Sequence, residues 1–298
     1  MATLSYHEQK DIENIKKLRE LQKELPSFCS DFFRGIETST STRTRIAYAY
    51  DLKIFFQFLK TANPGTFDNP SHTLTPSDLE KLTVTDLEEY IDYLKCHPSD
   101  TNEDVINTER GLMRKVSSLR SFYSYFFRNE RIEKNPAALV RMPKLHEKEI
   151  IRLEIDEVAK LLDEVEEGDK LTEKQKLYHE RTKVRDLALM SLLLGTGIRV
   201  SECVGLNIND IDLDTCGARV YRKGGKESVI YFSDEVRDVL ENYLDEREMI
   251  DAVPGNEDAL FLSMQRKRIN VRSVENLVKK YAKLVTPLKK ITPHKLRS

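Results

Sequence analysis

The sequence predicts a mainly α-helical protein with a small β-sheet, in which a helical domain precedes a mixed α/β domain. Apolar side chains recur at spacings of three and four over much of the 298 residues, as in amphipathic helices. Alternating strands around Gly224 and Gly225 predict one β-hairpin. A charged stretch at residues 142–150, which contains Pro143 and has no apolar periodicity, predicts a linker between two domains.

The first part of the chain reads as helices. We predict a polar helix over residues 6–25 within an N-terminal extension, residues 1–40, and a Ser/Thr cluster at residues 38–42 that caps the next helix. A helical domain of residues 41–141 follows, with apolar stripes that predict helices from residue 42 to about 60, over residues 85–95 and over residues 109–128.

The second domain, residues 151–298, alternates helices with the hairpin. Helices are expected at residues 154–165, 184–194, 234–250 and 273–285, with a polar insertion at residues 166–182. The hairpin strands are expected on either side of residues 224–225, and they give this domain its mixed character.

Charge is distributed unevenly along the chain. The net charge is only -2, yet residues 106–148 carry ten basic against four acidic side chains, and residues 262–298 carry eleven against one. Lys and Arg neutralise phosphates in nucleic-acid complexes, so the two basic stretches predict a DNA-binding surface that the total charge conceals. A solvated charged face is the alternative for each stretch taken alone.

Other features of the sequence limit the classes of protein. The four cysteines form no CxxC pair and lie at no zinc-ligand spacing, which predicts free thiols in a reducing compartment. No apolar run is long enough for a membrane span and no signal peptide is recognisable, so a cytoplasmic protein is expected. We expect no cofactor and no metal, because glycine loops and metal-ligand clusters are absent from the sequence.

Three separate segments carry side chains that suit a phosphate. Arg199 follows a helix that ends at glycines, and it is expected in the first turn of the next helix, where free backbone N–H groups favour anions. Lys223 lies at the tip of the hairpin. Thr292 and Pro293 predict a helix start that places His294 and Arg297 on one face. Each pattern alone has common structural explanations.

Taken together, these segments resemble the catalytic domain of the tyrosine recombinases of the phage-integrase and Xer type. The match rests on Gly-Thr-Gly-Ile-Arg-Val-Ser-Glu at residues 195–202, Lys-Gly-Gly-Lys at residues 223–226 and His-Lys-Leu-Arg at residues 294–297. The resemblance implies that Arg199 and Arg297 clamp the scissile phosphate, Lys223 protonates the leaving oxygen, and His294 assists at the phosphate. Lys226 is the less favoured occupant of the lysine role.

The resemblance extends to the rest of the chain and to its partners. Residues 41–141 are similar to the family's core-binding domain, and the N-terminal helix and the insertion are most like the XerS branch. The implied partners are double-stranded DNA, further copies of the chain as a dimer on one site and a tetramer in the synapse, and a DNA translocase. The start of the helix at residue 42, the two basic stretches and the hairpin supply the candidate DNA contacts, which are Arg43, Thr44, Arg45, Arg110, Arg114, Lys115, Ser117, Ser118, Ser121, Lys226, Arg266 and Arg268.

The resemblance places the nucleophilic tyrosine after the His-x-x-Arg box, and therefore outside residues 1–298. Tyr281 precedes the box and is not expected to attack. We accordingly expect residues 1–298 to bind DNA without cutting it. Two other classes stay open at this stage: a topoisomerase of type IB, and a sequence-specific DNA-binding protein without cleavage activity.

Overall fold

The computed structural model describes residues 5–99, 103–146, 151–222 and 226–297, with only the backbone of Arg297. The chain divides into two compact units, Met1–Lys148 and Glu149–Ser298. The described residues are mostly helical, with two small antiparallel sheets. The predicted fold class, mainly α with a small β-sheet, is confirmed.

The first unit is built from helices and one short β-pair. Its helices are α1 (Tyr6–Lys23), α2 (Cys29–Gly35), α3 (Thr42–Ala62), α4 (Pro64–Phe67), α5 (Pro76–Leu79), α6 (Val84–Lys95), α7 (Glu109–Arg128) and α8 (Pro136–Leu139). Strands β1 (Cys96–Pro98) and β2 (Asp104–Ile106) pair antiparallel between α6 and α7. Ser41 caps α3 by accepting a hydrogen bond from the N–H of Thr44, as the Ser/Thr cluster predicted.

Aromatic rings fill the core of the first unit. Phe28, Phe32, Phe56, Phe122 and Phe126 are all buried and meet largely edge to face. Two of these rings come from the connection after α1 and from α2, so the segment predicted as an N-terminal extension supplies part of the core shared with α3 and α7.

The second unit surrounds one central helix. Its helices are α9 (Ile155–Glu167), α10 (Glu173–His179), α11 (Lys183–Thr196), α12 (Val200–Gly205), α13 (Asp234–Glu248) and α14 (Val271–Val285). Helix α11 is apolar on nearly every side because α9 and α13 pack against it. Strands β3 (Ile211–Asp212), β4 (Gly217–Arg222) and β5 (Lys226–Tyr231) form an antiparallel sheet in that order.

The main helices lie where the apolar periodicity predicted them, with ends that differ by up to two residues. The periodicity did not predict α2, α8, α10 or the β1–β2 pair, and it assigned α4 and the start of α5 to a loop. The helices in this group are one or two turns long and the two strands have three residues each. All of them are too short to show a full apolar period. Helix α10 lies inside the predicted polar insertion, where Thr172 and Gln175 form a capping box.

Candidate active site and DNA interface

Arg199 lies at the junction between α11 and α12. Helix α11 ends at Gly197, whose φ of 62° is in the left-handed region and whose N–H donates to Leu193 O at 3.0 Å. Ile198 is buried, and Arg199 is the N-cap of α12. The sequence placed Arg199 inside the first turn of α12, whereas the structure places it one residue earlier, as the N-cap.

Glu202 holds Arg199 at both its backbone and its side chain. One carboxylate oxygen of Glu202 accepts the backbone N–H of Arg199 at 2.9 Å, and the other accepts from Nη1 at 2.7 Å. Glu202 is 7% exposed, while the Arg199 side chain is 55% exposed. A guanidinium has five N–H donors, so this one is fixed along one edge and presents further donors outward.

The role of Glu202 was not predicted from the sequence. The signal was present as an acid three residues after Arg199, which is the spacing of a capping box. That pattern normally features Ser or Thr as the N-cap, and here the arginine occupies that position.

The His-x-x-Arg box lies next to helix α11, which ends at this junction. Residues Lys295–Arg297 form a 3₁₀ helix that contacts α11, the helix that leads to Arg199. The N–H of Lys295 donates to Thr292 O at 2.8 Å, so the turn begins where the sequence predicted a helix start. Within the described residues, however, the turn continues as a 3₁₀ helix and not as an α-helix.

Apolar anchors position the box. Ile291 is 3% exposed and Leu296 is 8% exposed, while His294 between them is exposed. Ile291 and Leu296 therefore pack into the protein, and His294 faces solvent. His294 is available to a ligand. The convergence of the Arg297 guanidinium with Arg199 stays a prediction, because the structure describes only the backbone of Arg297.

A lysine anchors the segment that precedes the box. Lys289 donates to Glu157 Oε2 at 2.6 Å and to the carbonyl of Arg152 at 3.2 Å. The hydrogen bond from Lys289, together with the backbone N–H of Glu154, holds the pKa of Glu157 below its usual range. This contact joins the approach to His294 to the start of α9.

The hairpin is present where the sequence predicted it. Strands β4 and β5 pair in a register that sets Arg222 opposite Lys226, and Lys226 is exposed. Lys223, Gly224 and Gly225 lie outside the described residues, so the position of the predicted catalytic lysine stays a prediction.

Helix α7 divides the predicted DNA contacts between two faces. Arg110, Arg114 and Ser117 are exposed, and Ser121 is half-buried. Two predicted contacts on this helix lie instead on its packed side and correct the sequence interpretation. They are Lys115, which is buried and donates to Asn107 Oδ1 at 2.6 Å, and Ser118, which is buried and donates to the carbonyl of Lys115.

The start of α3 shows the same division. Arg43 is exposed, and Thr44 is half-buried with its hydroxyl 2.9 Å from that of Ser41. Arg45 is buried and donates to Glu37 Oε1 at 2.8 Å. The expected phosphate contact of Arg45 is therefore corrected to an ion pair within the first unit, because a buried guanidinium requires an internal partner.

The loop before α14 carries the last pair of predicted contacts. Arg266 is exposed, with a φ of 58° in the left-handed region. Arg268 donates to the carbonyls of Val204 and Leu206 at 3.1 and 2.7 Å, and also to Asn207. Arg268 thus ties this loop to the end of α12, which corrects its expected role as a DNA contact.

Other kinds of site were sought in the described part of the chain. No group of three His, Cys, Asp or Glu side chains there could hold a metal ion. None of the described helices is long and apolar enough to cross a membrane. Tyr281 is completely buried and its pKa is raised by that burial, so its hydroxyl is unsuited to attack a DNA phosphate.

Comparison with known proteins identifies relatives of the whole arrangement. Residues 151–298 match the model of the phage integrase family. The tyrosine recombinase XerC of Caldanaerobacter subterraneus subsp. tengcongensis is 36% identical over 284 residues, which cover 91% of this chain and 73% of that protein. The tyrosine recombinase XerS of Streptococcus uberis is 31% identical over 311 residues. This alignment covers 95% of this chain and 85% of that protein.

Solved structures share the fold. A lambda integrase (75-356) dimer bound to a COC' core site aligns with a TM-score of 0.60 at 16% identity, over 91% of this chain and 85% of that one. The XerH recombinase bound to palindromic difH, in a post-cleavage complex, aligns with a TM-score of 0.59 at 15% identity, over 86% and 66% of the two chains.

Proposed function

Because the chain belongs to the phage integrase family of tyrosine recombinases, we propose that it is a site-specific DNA recombinase. It cleaves and rejoins DNA strands through a 3′-phosphotyrosyl intermediate. The observation that carries this proposal is Arg199, which a buried Glu202 holds at a helix junction with its side chain exposed to solvent, while the His-x-x-Arg box contacts the helix that leads to Arg199.

The chemistry begins at the scissile phosphate. A tyrosine phenolate attacks the phosphorus, the bond to the 5′-oxygen breaks, and the 3′-phosphate becomes esterified to the tyrosine. The pentacoordinate state carries more negative charge than the diester, so donors fixed beforehand lower its energy. Arg199 and Arg297 supply such donors, each as a planar guanidinium with several N–H groups that match the geometry of a phosphate.

Proton transfer completes each step. Lys223 gives a proton to the departing 5′-oxygen, and His294 donates a hydrogen bond at the phosphate. In the second step the 5′-hydroxyl of the partner strand attacks the phosphotyrosyl bond, the proton returns, and the tyrosine is released. One phosphodiester is exchanged for another, so no nucleotide cofactor or metal is required.

The attacking tyrosine is none of the twelve in residues 1–298. Tyr281, the one nearest the His-x-x-Arg box in the sequence, is buried. In this proposal, residues 1–298 bind and polarise the phosphate and a tyrosine outside this range attacks it.

Exposed basic and hydroxyl side chains supply the grip on double-stranded DNA. In the first unit these are Arg43, Arg110, Arg114 and Ser117, and in the second unit Lys226 and Arg266. Together they let the chain neutralise phosphates on both units despite its net charge of -2.

Assembly on DNA is part of the proposal. The lambda integrase neighbours were solved as a dimer on a core site and as a tetramer on a Holliday junction. We propose the same dimer and tetramer for this chain, acting on DNA in the cytoplasm with a DNA translocase as a further partner. The role of such a recombinase is either chromosome dimer resolution or the movement of an integrative element.

Covalent capture tests the proposal. The extended chain, defined as residues 1–298 joined to the C-terminal segment of the XerC relative with its tyrosine, is incubated with a nicked duplex selected for binding. A protein–DNA adduct on a denaturing gel is expected from the extended chain and not from residues 1–298. Arg199→Ala in the extended chain should slow adduct formation roughly 100-fold or more, as loss of one fixed donor does in other enzymes.

The other classes predict different results. Binding without any adduct from the extended chain would favour a DNA-binding protein without cleavage activity. Relaxation of supercoiled plasmids that lack the selected site, at the rate seen with the site, would favour a type IB topoisomerase.

A further inference from the structure

Asp51 is a carboxylate inside the helical first unit. It lies on α3 next to Leu52, on the face that packs against the core, and it is 2% exposed. Burial of a carboxylate is unfavourable unless hydrogen bonds and an opposite charge compensate it. An acid at this position therefore requires a partner or a functional reason.

The ion-pair partner of Asp51 is a guanidinium on another helix. Arg114 of α7 donates from Nη1 to Asp51 Oδ2, across 63 positions of the chain. The other oxygen, Oδ1, is buried and has no hydrogen-bond partner in the part of the chain that the structure describes. Burial raises the pKa of Asp51 even though the charge and hydrogen bond of Arg114 oppose that shift, together with the charge of Lys115 and a hydrogen bond from Ser118. The compensation is incomplete, so Asp51 does not serve stability well.

Arg114 itself faces outward. Its side chain is 46% exposed, and it shares the exposed face of α7 with Arg110 and Ser117. One edge of the guanidinium is fixed by Asp51, and the remaining N–H donors are free to meet a ligand. This arrangement matches that of Arg199 on Glu202, in which a buried acid fixes an exposed arginine.

We propose that Asp51 is a positioning residue for DNA binding, which holds Arg114 toward a backbone phosphate. The proposal rests on the proposed function, since it assumes that the exposed face of α7 meets DNA. An arginine that is held in place loses less rotamer freedom when it binds, so its phosphate contact gains affinity. The phosphate contact of Arg114 is therefore the functional reason for the partly compensated Asp51 carboxylate.

Simple charge counting predicts the opposite effect. If Asp51 only neutralised Arg114, its removal would leave more positive charge near the DNA and would tighten binding. If Asp51 were merely structural, its removal would change the stability and leave the affinity of the folded protein unchanged. The change in affinity therefore separates three roles of Asp51. Weaker binding indicates positioning of Arg114, tighter binding indicates charge neutralisation, and unchanged binding indicates a structural role alone.

The experiment measures binding of residues 1–298 to a labelled duplex of mixed sequence by fluorescence anisotropy over a series of salt concentrations. Arg114→Ala should weaken binding about tenfold, as expected for one charged hydrogen bond, and should lower the salt slope by about 1. Asp51→Ala should weaken binding in the same direction although it removes a negative charge. In the double variant, Asp51→Ala should cause no further loss, because the arginine that it positions is gone.

Two further variants control for charge and folding. Asp51→Asn keeps one acceptor oxygen for Arg114 and should recover part of the affinity. Asp92→Asn removes an acid that is 77% exposed in the same unit and forms an ion pair with Lys95 of the same helix, and it should bind as tightly as the parent or slightly more tightly. If Asp51→Ala does not fold, Asp51→Asn must still bind more weakly than Asp92→Asn.

The failures are distinct. Salt-dependent binding by the parent with unchanged or tighter binding by both Asp51 variants overturns the positioning role alone. Absence of salt-dependent binding by the parent overturns the proposed function, and the positioning role falls with it.

Discussion

Arg199 and Glu202 are joined by two hydrogen bonds, one from the backbone N–H and one from the guanidinium of the arginine. A single buried carboxylate thus sets both the start of α12 and the direction of an exposed cation. This gives the site a fixed donor before any DNA arrives, which is the condition for electrostatic stabilisation of a transition state.

Glu202→Gln should separate positioning from binding. The amide keeps the shape and one acceptor oxygen but loses the charge that holds the guanidinium. In the extended chain we expect adduct formation to slow about tenfold, the effect of roughly 1.4 kcal/mol in the barrier, with little change in DNA affinity. Single-turnover rates and anisotropy binding measure the two quantities. An unchanged rate would show that the orientation of Arg199 does not depend on this charge.

Gly197→Ala should destabilise the second unit through the backbone alone. An added Cβ would meet no atom within 4 Å, but the φ of 62° is unfavourable for any residue with a Cβ. The expected loss is about 1 kcal/mol in the free energy of unfolding. Urea denaturation measures it.

Gly65→Ala is the matched control for this change. It also has open space around its Cβ position and has no positive φ. Its free energy of unfolding should be unchanged or slightly higher. Equal losses at both glycines would contradict the role of the left-handed C-cap.

Lys289→Met should change how stability depends on pH. The pKa of Glu157 is lowered by Lys289, so this contact stabilises the fold above the ordinary pKa of the carboxyl and is lost as the pH falls through the lowered value. The parent should therefore lose Tm on acidification below about pH 4.5, and the variant should lose less over the same range. Thermal melts across this pH range provide the measurement.

Lys295→Met serves as the control for the pH experiment. Lys295 donates to the carbonyl of Lys290 at 2.7 Å, which does not titrate. Its variant should keep the acid dependence of the parent. A parallel loss of pH dependence in both variants would refute the assignment to Glu157.

Arg110→Ala and Arg45→Ala should act on different quantities. Arg110 is exposed on α7, so its removal should weaken binding at low salt and lower the salt slope by about 1. Arg45 is buried and forms an ion pair with Glu37. Its removal should therefore lower the free energy of unfolding and leave the salt slope of DNA binding unchanged. Salt titrations of binding and urea denaturation compare the two. A lower salt slope in the Arg45→Ala variant would show that Arg45 contacts a DNA phosphate.

The sequence by itself determined the order of the main elements and the segments that carry the chemistry. Apolar spacing located α3, α7, α11 and α14, because a helix that packs one face must repeat its apolar side chains every three or four residues. Glycines and alternation located the β4–β5 hairpin. The segments around Arg199 and His294 were recognisable from residue types at fixed local spacings.

Only the tertiary structure decided which basic side chains face outward. Lys115 and Arg114 are neighbours on α7, yet Lys115 is buried and donates a hydrogen bond to Asn107, whereas Arg114 is exposed. Arg45 and Arg268 look like DNA contacts in the sequence, but each one is directed inward by a partner from elsewhere in the chain. Periodicity describes one helix at a time, whereas burial and ion pairing depend on what other elements bring to the same place, as Asp51 of α3 does for Arg114 of α7.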